Sequence, residues 1–148
     1  MVGFVGLSLL LGLADAAAIP SVAESWVLSM AHPPGMLPTR LIAPTWAVLS
    51  LPSGIGAWLV WRQPAHRRAL LLWGWHLLAS AVWMQCLLSL HLPGPALLAA
   101  LVLAVLTCLT AAAFARLRHT AGLLLLPTLA WTCYVAYVTA GIWWLNRG

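Results

Sequence analysis

The sequence carries very little charge. Only 6% of its 148 residues are charged, lysine is absent, and Asp15 and Glu24 are the two acidic residues. Soluble domains carry roughly 25% charged residues, so a water-soluble globular chain is excluded. Because 64% of the residues are hydrophobic, the chain is predicted to be an integral membrane protein.

The sequence also contains few groups of residues that could form a catalytic or metal-binding site. Cys86, Cys108 and Cys133 lie in apolar runs with no CxxC pair and no metal-ligand spacing, so they are predicted to be buried, small apolar side chains. The sequence shows no acid–base pair and no nucleophile beside a base, which argues against a conventional enzyme. All seven basic residues are arginines at the ends of apolar runs. That placement favours topology determinants and headgroup contacts over a nucleic-acid surface.

Long apolar runs fill most of the chain. They predict an all-α membrane protein, a bundle of five transmembrane helices that forms one domain over residues 1–148. The helices are expected at about 2–19, 41–61, 70–91, 96–115 and 123–145. A cleaved signal peptide is the alternative for the first run, but that run lacks a basic start. Five arginines flank the second and fourth connections, so the positive-inside rule predicts a cytoplasmic N-terminus in a bacterial cell membrane.

A proline-rich segment, residues 20–40, separates the first two predicted helices and is termed the lid. It is predicted to be a stiff loop that holds Trp26 and His32 over whatever lies beneath it. The helix that follows contains Pro44 and Pro52. Proline breaks helices in water but is tolerated in a bilayer, where neighbouring groups satisfy the freed backbone. We interpret the segment as a lid that leads into a kinked, pocket-lining helix.

The third predicted helix carries a polar stripe. His76, Ser80 and Trp83 are spaced i, i+4, i+7 and share one helical face with Leu87. Polar side chains at mid-membrane depth should face protein or a cavity. The open alternative is that they only hydrogen-bond to neighbouring helices.

The fifth predicted helix contains a proline and a second candidate inner face. Pro127 interrupts the pattern, and one face is made up of Thr128, Trp131, Val135, Thr139 and Ile142. Trp143 and Trp144 are expected at the membrane interface, where aromatic residues are enriched. Trp131 lies too deep for that role.

In its tryptophans, prolines and their spacing, the chain resembles the tryptophan-rich sensory protein and translocator protein family, TspO. The family's lid and second helix read W-Y-x-x-L-x-K-P-x-x-x-P-P, W-x-x-L-Y and M-G-x-A-x-x-L-V-W, and the positions in register are Trp26, Pro33, Pro38, Trp46, Leu49, Gly54, Leu59, Val60 and Trp61. The third-helix and fifth-helix patterns match at Leu77, Trp83, Pro127, Trp131, Leu145 and Asn146. Departures from the family pattern include His32 for Lys, Ser50 for Tyr, His76 for Gln, Ser80 for Asn and Thr139 for Asn.

The resemblance implies a cavity, roofed by the lid, that binds porphyrin or haem as a ligand, with no cofactor required. The ligand-binding residues it implies are Trp26, His32, Pro33, Arg40, Trp46, Ser50, His76, Ser80, Trp83, Trp131, Val135 and Thr139. It also implies a homodimer, for which the fourth helix offers Ala99, Ala100, Ala104, Ala111 and Ala112, because small residues allow close helix contact.

Several functions stay open at this point. The first is a tetrapyrrole receptor or sensor without turnover. The others are a light-dependent porphyrin-degrading enzyme that uses Trp46 and Trp131, and a passive carrier of porphyrins or sterol-like lipids. His76 is either an axial ligand of haem iron or a structural hydrogen-bonding residue, since a neutral imidazole can be both.

Overall fold

All regular secondary structure in the described part of the chain is helical. The computed structural model describes residues 2–17 and 22–147, apart from the side chains at 11–17, 22–24, 39, 40 and 43. The helices are α1 (Val2–Ala17), α2 (Val22–Ser29), α3 (Thr39–Trp61), α4 (Arg67–Met84), α5 (Pro93–Leu117) and α6 (His119–Leu145), and a π-helical turn, Gln85–Ser89, continues α4. The all-α prediction is confirmed for these residues.

Three of the described helices are long and apolar enough to cross a membrane: α4 with its π-helical turn, α5 and α6. Helix α1 has 16 described residues. At 1.5 Å per residue it is about 24 Å long, shorter than the ~30 Å hydrocarbon core. The five-span count therefore stays a prediction, as does the orientation of the N-terminus.

The predicted connections differ from the observed ones in three places. The lid is not loop throughout, because α2 occupies two turns of it. Pro93 was expected in a turn but lies in the first turn of α5, where its missing N–H costs no hydrogen bond. Helices α5 and α6 are separated by Arg118 alone. That connection is much shorter than the seven residues expected.

Prolines lie inside α3 and α6 without ending either helix, as expected for a bilayer. Helix α3 continues through Pro44 and Pro52, and α6 continues through Pro127. In α3 the hydroxyls of Thr45 and Ser50 donate to carbonyls of the preceding turn, at 2.7 Å in both cases. Such bonds satisfy the hydroxyl groups within the helix itself, so they need no partner in an apolar surrounding.

The two predicted inner faces are confirmed as buried. On α4 and its π-helical turn the buried set is His76, Ser80, Trp83 and Leu87, and on α6 it is Thr128, Trp131, Val135, Thr139 and Ile142. Helix α5 packs between α4 and α6 and buries Thr107 and Thr110 there. Helix α5 therefore has an inner side with buried hydroxyl groups as well as an exposed apolar side, which includes Leu98, Leu101 and Val105.

Two expectations about small residues need correction. Cys108 and Cys133 are exposed on the outer surface and not buried, and all three cysteines are free thiols. Of the alanines proposed for a dimer contact, Ala100 and Ala111 are buried inside the protomer. The homodimer stays a prediction, with those two positions removed from its interface.

The core of the described residues includes one large cluster at each end of the bundle, and a smaller cluster of Val27, Val138 and Ile142 lies under the lid. One large cluster surrounds Trp46, Trp83 and Trp131. The other joins Val60 to Phe114 and is adjacent to the α3–α4 and α5–α6 turns. Helix α6, with 27 residues, is about 40 Å long and connects the two ends. We call the end with Trp46, Trp83 and Trp131 the lid end, and the end with Val60 and Phe114 the arginine end.

Candidate functional site

A narrow apolar cavity lies at the lid end, between the lid, α3, the end of α4 and α6. Its volume is about 50 Å³. The side chains around it are Val27, Met36, Ile42, Trp83, Met84, Leu87, Leu88, Trp131, Tyr134, Val135, Val138, Thr139 and Ile142. Two of them, Val27 and Met36, belong to the lid, so the lid forms one wall of the cavity.

Three tryptophans from three different helices meet beside this cavity. The ring centroid of Trp46 lies 6.0 Å from that of Trp83 and 6.3 Å from that of Trp131. Tyr134 packs on Trp131 with a centroid separation of 5.2 Å. Separations of this size are those of favourable aromatic pairs. The sequence places these tryptophans 37 and 48 residues apart, and the fold brings them into one cluster.

Two of the three indoles keep a free donor. Among the described residues, Trp46 Nε1 and Trp131 Nε1 are buried without a hydrogen-bond partner, and so is Thr128 Oγ1. Trp83 differs, because its Nε1 donates to Thr139 Oγ1 at 3.1 Å. A buried donor without a partner costs about 1–3 kcal/mol. An acceptor group brought by a ligand would remove that cost.

Residues 4–145 match the model of the TspO/MBR family. The chain belongs to the TspO/MBR family. It is 27% identical over 146 residues to the tryptophan-rich protein TspO of Chlorobaculum tepidum, which covers 96% of this chain and 92% of that protein. It is also 27% identical over 128 residues to the translocator protein of Ovis aries, covering 83% of this chain and 76% of the sheep protein. The family resemblance inferred from the motifs is confirmed.

In this TspO/MBR protein, hydrogen bonds from α6 hold the lid in place. Tyr134 Oη accepts from the backbone N–H of Leu37 at 2.7 Å, and Tyr137 Oη donates to the carbonyl of Pro34 at 2.8 Å. The Asn146 side chain accepts from the N–H of Ala31 and donates to its carbonyl, both at 3.0 Å. These bonds lie at exposed positions. Exposed hydrogen bonds can exchange with water, so they are the parts of the lid most easily released.

Close packing adds to these bonds. A Cβ on Gly141 would lie 2.5 Å from the ring of Pro33, so glycine allows the lid to lie directly on α6. At the other side of the lid, the Trp26 ring stands edge-on to His91, with a centroid separation of 4.6 Å. His91 itself has a φ of +56° at the end of the π-helical turn, a conformation that is unusual for a residue with a side chain.

The π-helical turn shapes one wall of the cavity. Leu87 and Leu88 lie in it, directly after Met84. A π-helical turn inside an α-helix is rare and is frequent at functional sites. No signal in the sequence predicts it. Three α6 residues that the sequence analysis did not propose as ligand contacts, Tyr134, Val138 and Ile142, repeat at the helical spacing of Trp131, and that spacing could have identified them.

The structure separates the sequence-predicted ligand residues into groups. Those around the cavity are Trp83, Trp131, Val135 and Thr139, with Trp46 packed directly behind Trp83 and Trp131. His32 and Pro33 line a second, shallow depression on the lid, and His32 Nε2 donates to the carbonyl of Val27 at 2.7 Å. The side chain of Arg40 lies outside the described residues.

Ser50, Ser80 and His76 are not among the residues around the cavity. Ser50 lies where α3 meets α1, and its carbonyl accepts from Ser8 Oγ at 2.8 Å. Ser80 is buried on α4. His76 is buried between α4 and α5, with Nδ1 2.8 Å from Thr107 Oγ1. Their binding roles stay predictions.

The hydrogen bonds of His76 define its neutral tautomer. Thr107 Oγ1 donates its own proton to the carbonyl of Leu103 at 2.7 Å. The imidazole must therefore donate from Nδ1 to Thr107, which leaves Nε2 without a proton when the ring is neutral. An unprotonated Nε2 is what an axial ligand needs. His76 is not among the residues around the cavity, however, so we expect the structural role.

We expect His76→Gln to leave the haem spectrum unchanged. A glutamine side chain can still donate to Thr107, so the α4–α5 contact and the fold should be retained. The measurement is the Soret band after addition of ferric haem, with iron-free protoporphyrin as the control ligand. A wild-type Soret shift that disappears in the variant, while protoporphyrin still binds, would identify His76 as an iron ligand and contradict this expectation.

Proposed function

We propose that this TspO/MBR protein is a membrane receptor or carrier that binds flat, hydrophobic tetrapyrroles in the cavity at the lid end. One observation carries the proposal: an apolar cavity beside a cluster of tryptophans, in which Trp46 and Trp131 keep unpartnered N–H donors. Indole faces stack on a porphyrin ring. The free N–H groups offer hydrogen bonds to ring substituents such as the propionates.

The size of the cavity adds a condition to this proposal. Sites for drug-sized ligands enclose ~300–1,000 Å³, several times the volume of this cavity. A porphyrin can therefore enter only if one wall moves. The lid is the wall that can do so at lowest cost, because the bonds to Tyr134, Tyr137 and Asn146 are exposed. Binding thus requires the lid to lift from α6.

An absorbance titration tests the proposed function. Purified protein in detergent is titrated with protoporphyrin and with ferric haem in the dark, and the Soret band and tryptophan fluorescence are followed together. We expect a saturable Soret change with quenching of tryptophan emission, because the ligand would stack beside several indoles. Quenching that rises linearly with porphyrin, as in empty detergent micelles, would contradict the proposal.

Illumination of the same samples tests the second function. The adjacency of Trp46 and Trp131 favours photochemistry as the alternative, because light absorbed by the ligand would act next to two indoles. Light-dependent loss of Soret absorbance above that in detergent alone would support a porphyrin-degrading enzyme. Bleaching equal to the detergent control would leave the receptor or carrier.

Tyr137→Phe is expected to speed porphyrin association by up to about fivefold. The change removes one lid hydrogen bond, worth roughly 0.5–1 kcal/mol, without altering the cavity wall. Stopped-flow quenching of tryptophan fluorescence measures the rate. The matched control is Thr120→Val, which removes an exposed hydrogen bond to Arg118 at the arginine end. Equal rates for Tyr137→Phe and wild type would show that lid release does not limit binding.

A further inference from the structure

Five of the seven arginines lie together at one end of the bundle, opposite the lid. We propose that this end binds the phosphate headgroups of anionic phospholipids. Three of the arginines lie between the end of α3 and the first turn of α4, and two lie between the last turn of α5 and the start of α6. All five side chains are exposed: Arg62, Arg67, Arg68, Arg116 and Arg118. We call this set the arginine surface.

The two turns are neighbours because they share one core. Val60 and Ala69, on either side of the first turn, are buried in the same cluster as Phe114 and Ala121, which flank the second. The approach is close, since a Cβ on Gly56 would lie 3.3 Å from the carbonyl oxygen of Ala121. The arginines of both turns therefore emerge on one surface.

Among the side chains that the structure describes, no carboxylate lies at this end to balance them. The two acidic residues of the chain are Asp15 and Glu24. Helix α1 starts at the arginine end, where the Phe4 ring lies 5.9 Å from the ring of Trp61. Asp15 follows eleven residues later, about 16 Å further along the helix axis, and Glu24 belongs to the lid. The balancing charge must come from outside the chain.

The start of α4 strengthens the positive potential. Arg67 and Arg68 form its first turn, which contains no acidic residue, and His66 at the N-cap makes no side-chain capping bond. A helix N-terminus carries partial positive charge and favours acidic neighbours, so two arginines there are opposite to the usual preference. A phosphate near this turn would meet the helix N–H groups as well as the guanidinium groups.

The surroundings favour a lipid over a soluble anion. Directly beside the arginine surface, the outward side chains of Trp61, Leu71 and Trp75 are more than half exposed, as acyl chains would require. Arg62 lies over the ring of Trp58, with Cζ 5.3 Å from the ring centroid. This contact positions the Arg62 side chain just after the end of α3. A headgroup phosphate joined to two acyl chains matches this combination of charge and apolar surface.

Native mass spectrometry of the full chain in nonionic detergent tests the proposal. The probes are dioleoyl phosphatidylglycerol, dioleoyl phosphatidylcholine with the same acyl chains, and soluble glycerol phosphate. We expect the phosphatidylglycerol to bind more tightly than the phosphatidylcholine. Arg67→Gln/Arg68→Gln should weaken phosphatidylglycerol binding by about twenty-five-fold, since each arginine near an anionic surface contributes about fivefold.

The matched control is Arg147→Gln at the opposite end, where Arg147 Cζ lies 3.3 Å from the ring centroid of Trp144. It should leave phosphatidylglycerol binding unchanged, and Arg67→Lys/Arg68→Lys should retain binding because the charge is kept. Salt should weaken binding of the anionic lipid in the wild type, which needs no variant to fold. Equal affinity for both lipids, equal losses in the glutamine variants of both ends, or equally tight binding of glycerol phosphate would each overturn the proposal.

Discussion

Gly122→Val is expected to destabilise the bundle by about 3 kcal/mol, the upper range for overpacking a closely packed interior. A Cβ at Gly122 would lie 2.5 Å from Ala115 Cβ and 2.8 Å from Ala115 Cα. Backbone cannot yield as a flexible side chain can, and the single residue between α5 and α6 prevents the two helices from sliding apart. The measurement is thermal unfolding in detergent followed by circular dichroism.

Gly74→Val provides the matched control. Gly74 lies inside α4 and is exposed, and nothing lies within 4 Å of its added Cβ. The same chemical change should therefore leave the melting temperature close to that of the wild type. If Gly122→Val and Gly74→Val have the same melting temperature, α5 and α6 do not approach each other as closely as the structure shows.

Helical periodicity was sufficient to predict which faces of α4 and α6 are buried. His76, Trp83, Trp131 and Thr139 follow the helical repeat, and the polar His76 and Thr139 are costly to expose to lipid, so they mark the inner faces. The same reasoning failed for the cysteines. Cys108 can face lipid at little cost because a thiol is only weakly polar, so apolar surroundings in the sequence do not distinguish the inside of the bundle from its outer surface.

The contacts between the lid and α6 could not be predicted from the sequence. Leu37 and Tyr134 are 97 residues apart, and Ala31 and Asn146 are 115 residues apart. Each pairing joins a backbone group to a side chain, and a backbone group carries no residue-specific signal. The family motif includes Asn146 without saying what it binds. In this structure it holds the lid, which is a physical reason for an asparagine at the end of α6.

The size of the cavity was equally unpredictable. The sequence indicated a tryptophan-rich region under a roof, but cavity volume depends on how the lid rests on α6 and on the π-helical turn. Gly141 lets the lid lie close, and Leu87 with Leu88 fills one side. Both features reduce the space below that of a preformed ligand site, which is why binding and lid movement are coupled in our proposal.

Trp46→Phe/Trp131→Phe is expected to lower protoporphyrin affinity by about thirtyfold. Phenylalanine retains a flat ring for stacking but has no N–H, so the change removes the two unpartnered donors with limited loss of packing. Two hydrogen bonds of about 1 kcal/mol each account for a change of this size. The measurement is the dissociation constant from the Soret titration in the dark, together with the extent of fluorescence quenching.

The control is Trp75→Phe/Trp144→Phe, which removes the same number of indoles from side chains that are 59% and 61% exposed. Affinity should remain at the wild-type value in this variant, because neither ring lies beside the cavity. Under illumination, any bleaching above the detergent background should persist in the control and disappear in Trp46→Phe/Trp131→Phe. If both double variants bind protoporphyrin equally well, the tetrapyrrole site does not lie beside Trp46 and Trp131, and the second depression on the lid, which includes His32 and Pro33, becomes the site to test.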